Sequence, residues 1–230
     1  EFRIRGVARE RTGTRATYTA PSNVYRAADG AWFTLVGTGD PIFARATTQI
    51  VGDNRVAALA ACRRAQELGY HALLLTTYVE GEAREVAKLA VALAREVVAS
   101  GQPVPAPACL ILGGETTVTL GSAPGTGGRN QELALAAALG IAGRTRITIA
   151  SLATDGSDGP TDSAGGLVDG ATVKLGETSG LDADAMLRRH DAYPYLAAVG
   201  DLLRTGPTQT NVNDLLVVLV EPAGSGPGPA

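Results

Sequence analysis

A chain of 230 residues, 45% hydrophobic and 19% charged, buries roughly 24,000 Å² by area scaling, enough for a core that needs no disulfide staples. A net charge of −3 argues against general nucleic-acid binding, two cysteines cannot form a disulfide framework, and with two histidines they argue against a Cys/His metal site. No apolar run nears the roughly 18 residues of a membrane span and no signal peptide opens the chain, so the expected setting is the cytoplasm, away from membranes.

Residues 1–20 are polar, rich in Arg and Thr, and read as an arm. Residues 22–37 predict a hairpin that turns at Asp29-Gly30 and returns through Trp32 and Phe33. From residue 49 strands and helices alternate. Gln49–Gly52 reads as a short strand. Asp53 or Asn54 then caps a helix that turns Val56, Leu59 and Leu68 inward and stops at Gly69. His71–Thr76 is strand-like. Glu82–Val98 carries Val86, Leu89, Ala90, Leu93 and Val97 at helical spacing. Three prolines between Ser100 and Pro107 interrupt the chain before strands at Ala108–Leu112 and Thr116–Leu120. The glycine-rich stretch Gly121–Gly128 enters a helix at Arg129–Leu139, and Arg146–Leu152 is a further buried strand. Helices are expected at 169–176, 182–189 and 192–200, a polar loop at 205–214, a last strand at Leu215–Val220 and a disordered tail at 221–230. This order predicts an α/β fold: a layered sheet of mostly parallel strands with helices on both faces, plus an N-terminal β-hairpin appendage. The division expected is an arm and hairpin at 1–45, an α/β domain at 46–220 and the tail.

Ligands of such sheets bind beyond the carboxyl ends of the strands, where three polar loops are expected to gather. Gly121–Gly128 leads into Arg129 and Asn130, so backbone N–H groups and a helix dipole could receive an anion clamped by Arg129. An ordinary strand-to-helix connection explains the same glycines, and no Lys-Ser/Thr follows to make a Walker A loop. Thr154–Asp162 holds Asp155, Asp158 and Asp162, suited to Mg²⁺ or to a base for a hydroxyl, and equally to turns and caps. Thr205–Asp214 offers Asn and Thr groups for hydroxyls. His71, opening a strand, and His190, ending an Arg-rich helix, are given no catalytic part. Of the 20 basic residues only Lys88 and Lys174 are lysine, which leaves few for catalysis.

Taken in order, Gly113–Thr119, Gly127–Leu135, Ala153–Asp162 and Thr205–Asp214 resemble the C-terminal (MOFRL) region of the type II glycerate kinases, also known as hydroxypyruvate reductases. Val51–Arg55 and Glu80–Val86 are similar to the same family's middle segment, so the resemblance covers about residues 40–220. It implies ATP- and Mg²⁺-dependent phosphorylation of glycerate at the 2-hydroxyl in a cleft between two α/β domains. It also implies Arg129 as anion clamp and Asp155 and Asp158 as metal or base carboxylates. Gly114, Glu115, Gly127, Gly128, Asn130, Thr154, Thr161, Asn211, Asn213 and Asp214 are then expected to line the substrate and nucleotide site.

Residues 18–45, with Ala20–Trp32 and Asp40–Arg45, instead resemble a segment of family III CoA-transferases that lacks that family's catalytic aspartate. The kinase family's larger N-terminal domain and its functional lysine have no match here. The expectation is a truncated or fused chain, or an artificial chimera, with little turnover alone. The alternative is a non-catalytic segment that self-associates through its exposed domain interface as a homo-oligomer, strand- or segment-swapped.

Overall fold

The computed structural model describes residues 23–26, 32–35, 52–122 and 125–224. The chain divides into two compact units, Glu1–Val51 and Gly52–Ala230, each described by itself. In the first, β1 (Asn23–Arg26) pairs antiparallel with β2 (Trp32–Leu35), the expected hairpin. Its Asp29-Gly30 turn, the arm at 1–20, the strand read at 49–52 and the tail from 225 lie outside the described residues.

The second unit is one six-stranded sheet with helices on both faces. In chain order it comprises α1 (Asn54–Glu67), β3 (His71–Val79), α2 (Ala83–Ser100), β4 (Ala108–Gly114), α3 (Arg129–Ile141), β5 (Ile147–Ala153) and β6 (Gly165–Asp169). It continues with α4 (Thr172–Thr178), α5 (Ala183–Arg188), α6 (Ala192–Val199), β7 (Leu202–Leu203) and β8 (Asp214–Val220). The strand order is β3-β4-β8-β5-β6-β7. The α/β class is as expected, but the pairing is not mostly parallel: β3–β4 is parallel and the other four pairings are antiparallel. The cause is where the last strand goes. Helical crossovers make β3, β4 and β5 run the same way, as that connection demands. β8 then enters between β4 and β5, antiparallel to both.

Strand alternation splits the core in two. Leu110, Leu112, Ile147, Ile149, Leu216, Val218 and Val220 pack against α2 and α3, while Ile111 and Cys109 pack against Ala58, Cys62 and Ala65 of α1. Both cysteines are free and buried, as expected, and burial pushes the Cys109 thiol up to about 11.

The inward face of α1 differs from expectation. Val56 is 54% exposed, Leu59 36% and Leu68 60%, and the buried positions are Ala58, Cys62 and Ala65. α2 repeats the pattern, burying Ala83, Ala87, Ala90 and Ala94 and leaving Leu89 exposed. Small side chains let both helices lie close on the sheet, where a leucine would hold them off. Asp53 caps α1, its carboxylate accepting from Val56 N at 2.8 Å. The expected strand Thr116–Leu120 reduces to a single bridge between Glu82 and Thr117. There the chain turns at Gly114, whose φ is +147° and where an added Cβ would fall 2.2 Å from Val79 O. The helix expected at 169–176 starts later, at Thr172, because Gly165–Asp169 forms β6 beside β5.

Candidate functional site

The three polar loops meet beyond the carboxyl ends of β4 and β5, where β8 begins. The first turn of α3, Arg-Asn-Gln-Glu, is the most polar part of that helix, and Asn130, Gln131 and Glu132 are all buried. Burial of such groups requires partners, and each side chain has at least one, although Gln131 Oε1 has none among the described residues.

Arg129 is held from two sides. Its Nε and Nη2 donate to Asp214 at 2.6 and 2.9 Å, and its Nη1 lies 2.9 Å from Glu115. The bidentate bonds to Asp214 raise the Arg129 pKa further, and the charges of Asp214, Glu115 and Asp158 add to this. Asp214 is buried, at the first position of β8, whereas the Glu115 side chain is 51% exposed. Asn54 reinforces this corner, donating to Val212 O and Asp214 O at 2.8 and 2.9 Å. Its side chain sits where a Cβ on Gly113 would fall. Asn54 escaped the sequence reading as a site residue because it was weighed only as a cap. With Asp53 in that role, Asn54 is freed for the loop.

Asp158 occupies the mouth of α3. Its carboxylate accepts from Asn130 N at 3.1 Å, Gln131 N at 2.8 Å and Asn130 Nδ2 at 3.2 Å. The N-terminal amides read as open to an exogenous anion are therefore capped by the protein's own carboxylate. Gly128 is required beside it, since a Cβ there would lie 2.3 Å from Asp158 Cγ. Burial pushes the Asp158 pKa up to about 6 against the lowering effect of those amide bonds. Ser151 Oγ donates to Asn130 Oδ1 at 2.6 Å, and Gln131 Nε2 donates to Thr161 Oγ1 at 2.7 Å, which extends the network beneath the loops.

Asp155 faces the other way. It accepts from Ser157 N at 2.9 Å and from Asn211 Nδ2 at 3.3 Å, and it is half-buried. Thr154 Oγ1 donates to Asn213 O at 2.7 Å and accepts from Val212 N at 2.9 Å, stitching the 154–162 loop to the 205–214 loop. Thus Arg129, Glu115 and Asp214 come together, as do Asn130, Asp158 and Thr161, and Thr154, Asp155, Asn211 and Asn213. Asp155 and Asp158 do not form the expected metal pair, because the Asp158 carboxylate is committed to α3. Among the described residues no three His, Cys, Asp or Glu groups gather as a metal site. With Asp158 engaged at α3, these residues do not by themselves enclose a Mg²⁺ ion. Both lysines lie elsewhere, paired with Glu85 and Glu177 on exposed helix faces.

Gly127 backs onto Ala192 and Tyr193, and the preceding residues are pinned to the same turn. Gly125 N donates to Arg189 O at 2.7 Å, Thr126 N to Asp191 Oδ1 at 2.9 Å, and Tyr193 N to Thr126 O at 3.0 Å.

Fold and site define a mixed α/β unit, and residues 108–214 within it match the MOFRL family model. Across about three quarters of its length the chain is homologous to glycerate 2-kinases. It is 42% identical over 171 residues to the glycerate 2-kinase of Pyrococcus horikoshii, covering 74% of this chain and 39% of that one. It is 46% identical over 156 residues to the D-glycerate 2-kinase of Thermotoga maritima, covering 68% and 37%. The crystal structure of the Thermotoga maritima glycerate kinase superposes with a TM-score of 0.73 at 43% identity, covering 75% of this chain and 41% of that one. The chain thus spans about two fifths of the length of these relatives. Residues 2–102 match the CoA-transferase family III model, a longer stretch than the 18–45 segment whose sequence resembles that family. The two matches meet in the connection between α2 and β4, yet β3 and β4 pair within one sheet across that point.

Proposed function

We propose that this is a cytoplasmic glycerate 2-kinase-type protein whose second unit forms one wall of a phosphoryl-transfer cleft, with ATP as phosphate donor and glycerate as acceptor. The observation that carries the reading is the unequal grip on Arg129. Asp214 is buried and holds the guanidinium by two hydrogen bonds, which fixes its plane. Glu115 is exposed and holds the remaining edge by a single contact. An arriving phosphate or carboxylate displaces Glu115 and takes Nη1, while Asp214 keeps the fork aimed. Phosphoryl transfer is mostly positioning and charge neutralisation, which an oriented guanidinium supplies. Asp155, half-buried and held by Asn211, is the carboxylate placed to accept the proton of a substrate hydroxyl. Asp158 instead braces the helix from which Arg129 projects.

The test pairs thermal shift with ADP release, using Mg-ATP and D-glycerate on the full chain and its Arg129→Lys variant. A ligand that binds the folded form raises Tm, and lysine, lacking the fork, is expected to weaken that binding about tenfold or more. Absence of any shift in the wild type, or an equal shift in the variant, rejects the reading.

A second reading, self-association, has its own support. β3 is a nine-residue edge strand among the described residues, with Leu73, Leu74 and Leu75 only half-buried. A groove of about 470 Å³ runs between it and α1, beside exposed Leu59 and Tyr78. Unprotected apolar edges invite pairing. Sedimentation velocity decides: a monomer across the accessible concentration range removes this reading.

A further inference from the structure

Behind the glycine-rich loop lies a charged cluster that neither the cleft nor the core accounts for. Glu132, buried in the first turn of α3, receives Arg84 Nη2 at 2.6 Å and Nε at 3.0 Å from the start of α2. Its other oxygen lies 2.7 Å from His190 Nδ1. Arg84 Nη2 is also 3.1 Å from that nitrogen. The shorter contact favours the tautomer in which Nδ1–H donates to Glu132, while Arg84 donates to Glu132 through Nη2 and Nε. Arg84 Nη2 reaches Leu187 O at 3.4 Å as well. The ends of α2, α3 and α5 are thereby tied at one point.

His190 occupies an unusual place in the chain. It has a φ of +58°, which a residue with a Cβ adopts at a cost, and its side chain is 15% exposed. The turn it occupies, Arg189–Tyr193, makes all three contacts to Gly125 and Thr126 described above, two through its backbone and one through the Asp191 carboxylate. We propose that the Arg84–Glu132–His190 cluster is a positioning device for the Gly125–Gly128 loop. It locks the Arg189–Tyr193 turn, the turn holds the loop, and the loop delivers Arg129. The three residues act through that turn and touch no substrate. The inference rests on the reading of this loop as part of the cleft.

Amide hydrogen exchange on the full chain tests it. His190→Gly removes the side chain and relieves the backbone, so contact and conformation are separated. The expected result is exchange at Gly125 and Thr126 faster by about tenfold or more, with β4, β5 and β8 unchanged. His190→Asn restores protection to within about threefold, because its Nδ2 stands where Nδ1 stood and Asn tolerates a positive φ. Glu132→Gln, which keeps size and weakens both contacts, raises loop exchange more than sheet exchange and serves if the glycine variant does not fold. Unchanged loop exchange in His190→Gly overturns the proposal. So does equal acceleration of loop and sheet in either weakened variant, which marks the cluster as general support. Exchange is read without ligand, so the cleft reading is judged separately by the Mg-ATP thermal shift. A loosened loop with an undiminished shift upholds the positioning and removes the loop from the cleft.

Discussion

Asp158 shows how one carboxylate can look catalytic in sequence and be structural in the fold. Its loop has the composition of a metal or base site, but burial and two amide donors from α3 make it a helix cap. That position has a pH signature. The folded-state pKa, about 6, lies above the ordinary carboxylate value of 3.8, so the stabilisation is complete below the unfolded value and is lost as pH rises through 6. Urea unfolding is therefore expected to show stability falling by on the order of 3 kcal/mol from this group between acid and neutral pH. In Asp158→Asn that slope flattens, and at neutral pH the variant loses about 1–2 kcal/mol because an amide N–H now faces a backbone N–H. An unchanged slope in the variant assigns the titration to another group. The partner residue Asp214 makes a different prediction. Asp214→Asn leaves the Arg129 fork with one good acceptor. It is expected to cost about 1–3 kcal/mol in the same unfolding experiment, less than a fully buried pair because Arg129 is partly solvated. A loss below measurement shows that Glu115 alone suffices to hold Arg129.

Among the elements, existence was more legible than orientation. α1, α2 and α3, and the strands β3, β4, β5 and β8, were all readable because apolar spacing and turn residues agree along the chain. Which face of α1 turns inward was not, because large apolar residues dominate a periodicity argument while this sheet selects small ones. Two substitutions separate the readings. Leu59→Lys, on the exposed face, is expected to change stability by no more than about 0.5 kcal/mol. Ala58→Leu, at a position with no exposure, is expected to cost about 1–3 kcal/mol through overpacking. Thermal unfolding with the opposite ranking returns α1 to the orientation read from sequence. β6 and β7 escaped the reading for a related reason. Gly165-Gly166 begins β6 and β7 spans two residues, so neither has a pattern long enough to register. Of the site, Arg129 and the three loops were legible from composition and position. Asn54, Gln131 and His190 were not, since each matters through a partner distant in the chain.

For the second unit as a whole, the decisive event is the arrival of β8. It is the last strand in sequence and a central strand in the sheet, pairing seven residues with β4 on one side and seven with β5 on the other. Until it enters, β4 and β5 each present an unpaired edge, and the strands already made cannot close a core. No local pattern could have announced this, because a buried apolar run reads the same at an edge or at the centre. The same strand starts with Asp214, so Arg129 gains its bidentate partner when the sheet is completed. Sheet closure and site assembly are then one step, set by contacts of long sequence separation, which also makes that step slow. A chain ending at Arg204 retains every helix of this unit and five of its six strands. It is nevertheless expected to lose cooperative unfolding, because both pairings that join the β3-β4 half to the β5-β6-β7 half pass through β8. Circular dichroism is expected to show residual helix melting without a sigmoidal transition, beside a sharp transition in the full chain. A sharp melt within a few degrees of the full chain would mean that β4 and β5 can pair directly, and that β8 is an addition to the sheet rather than its keystone.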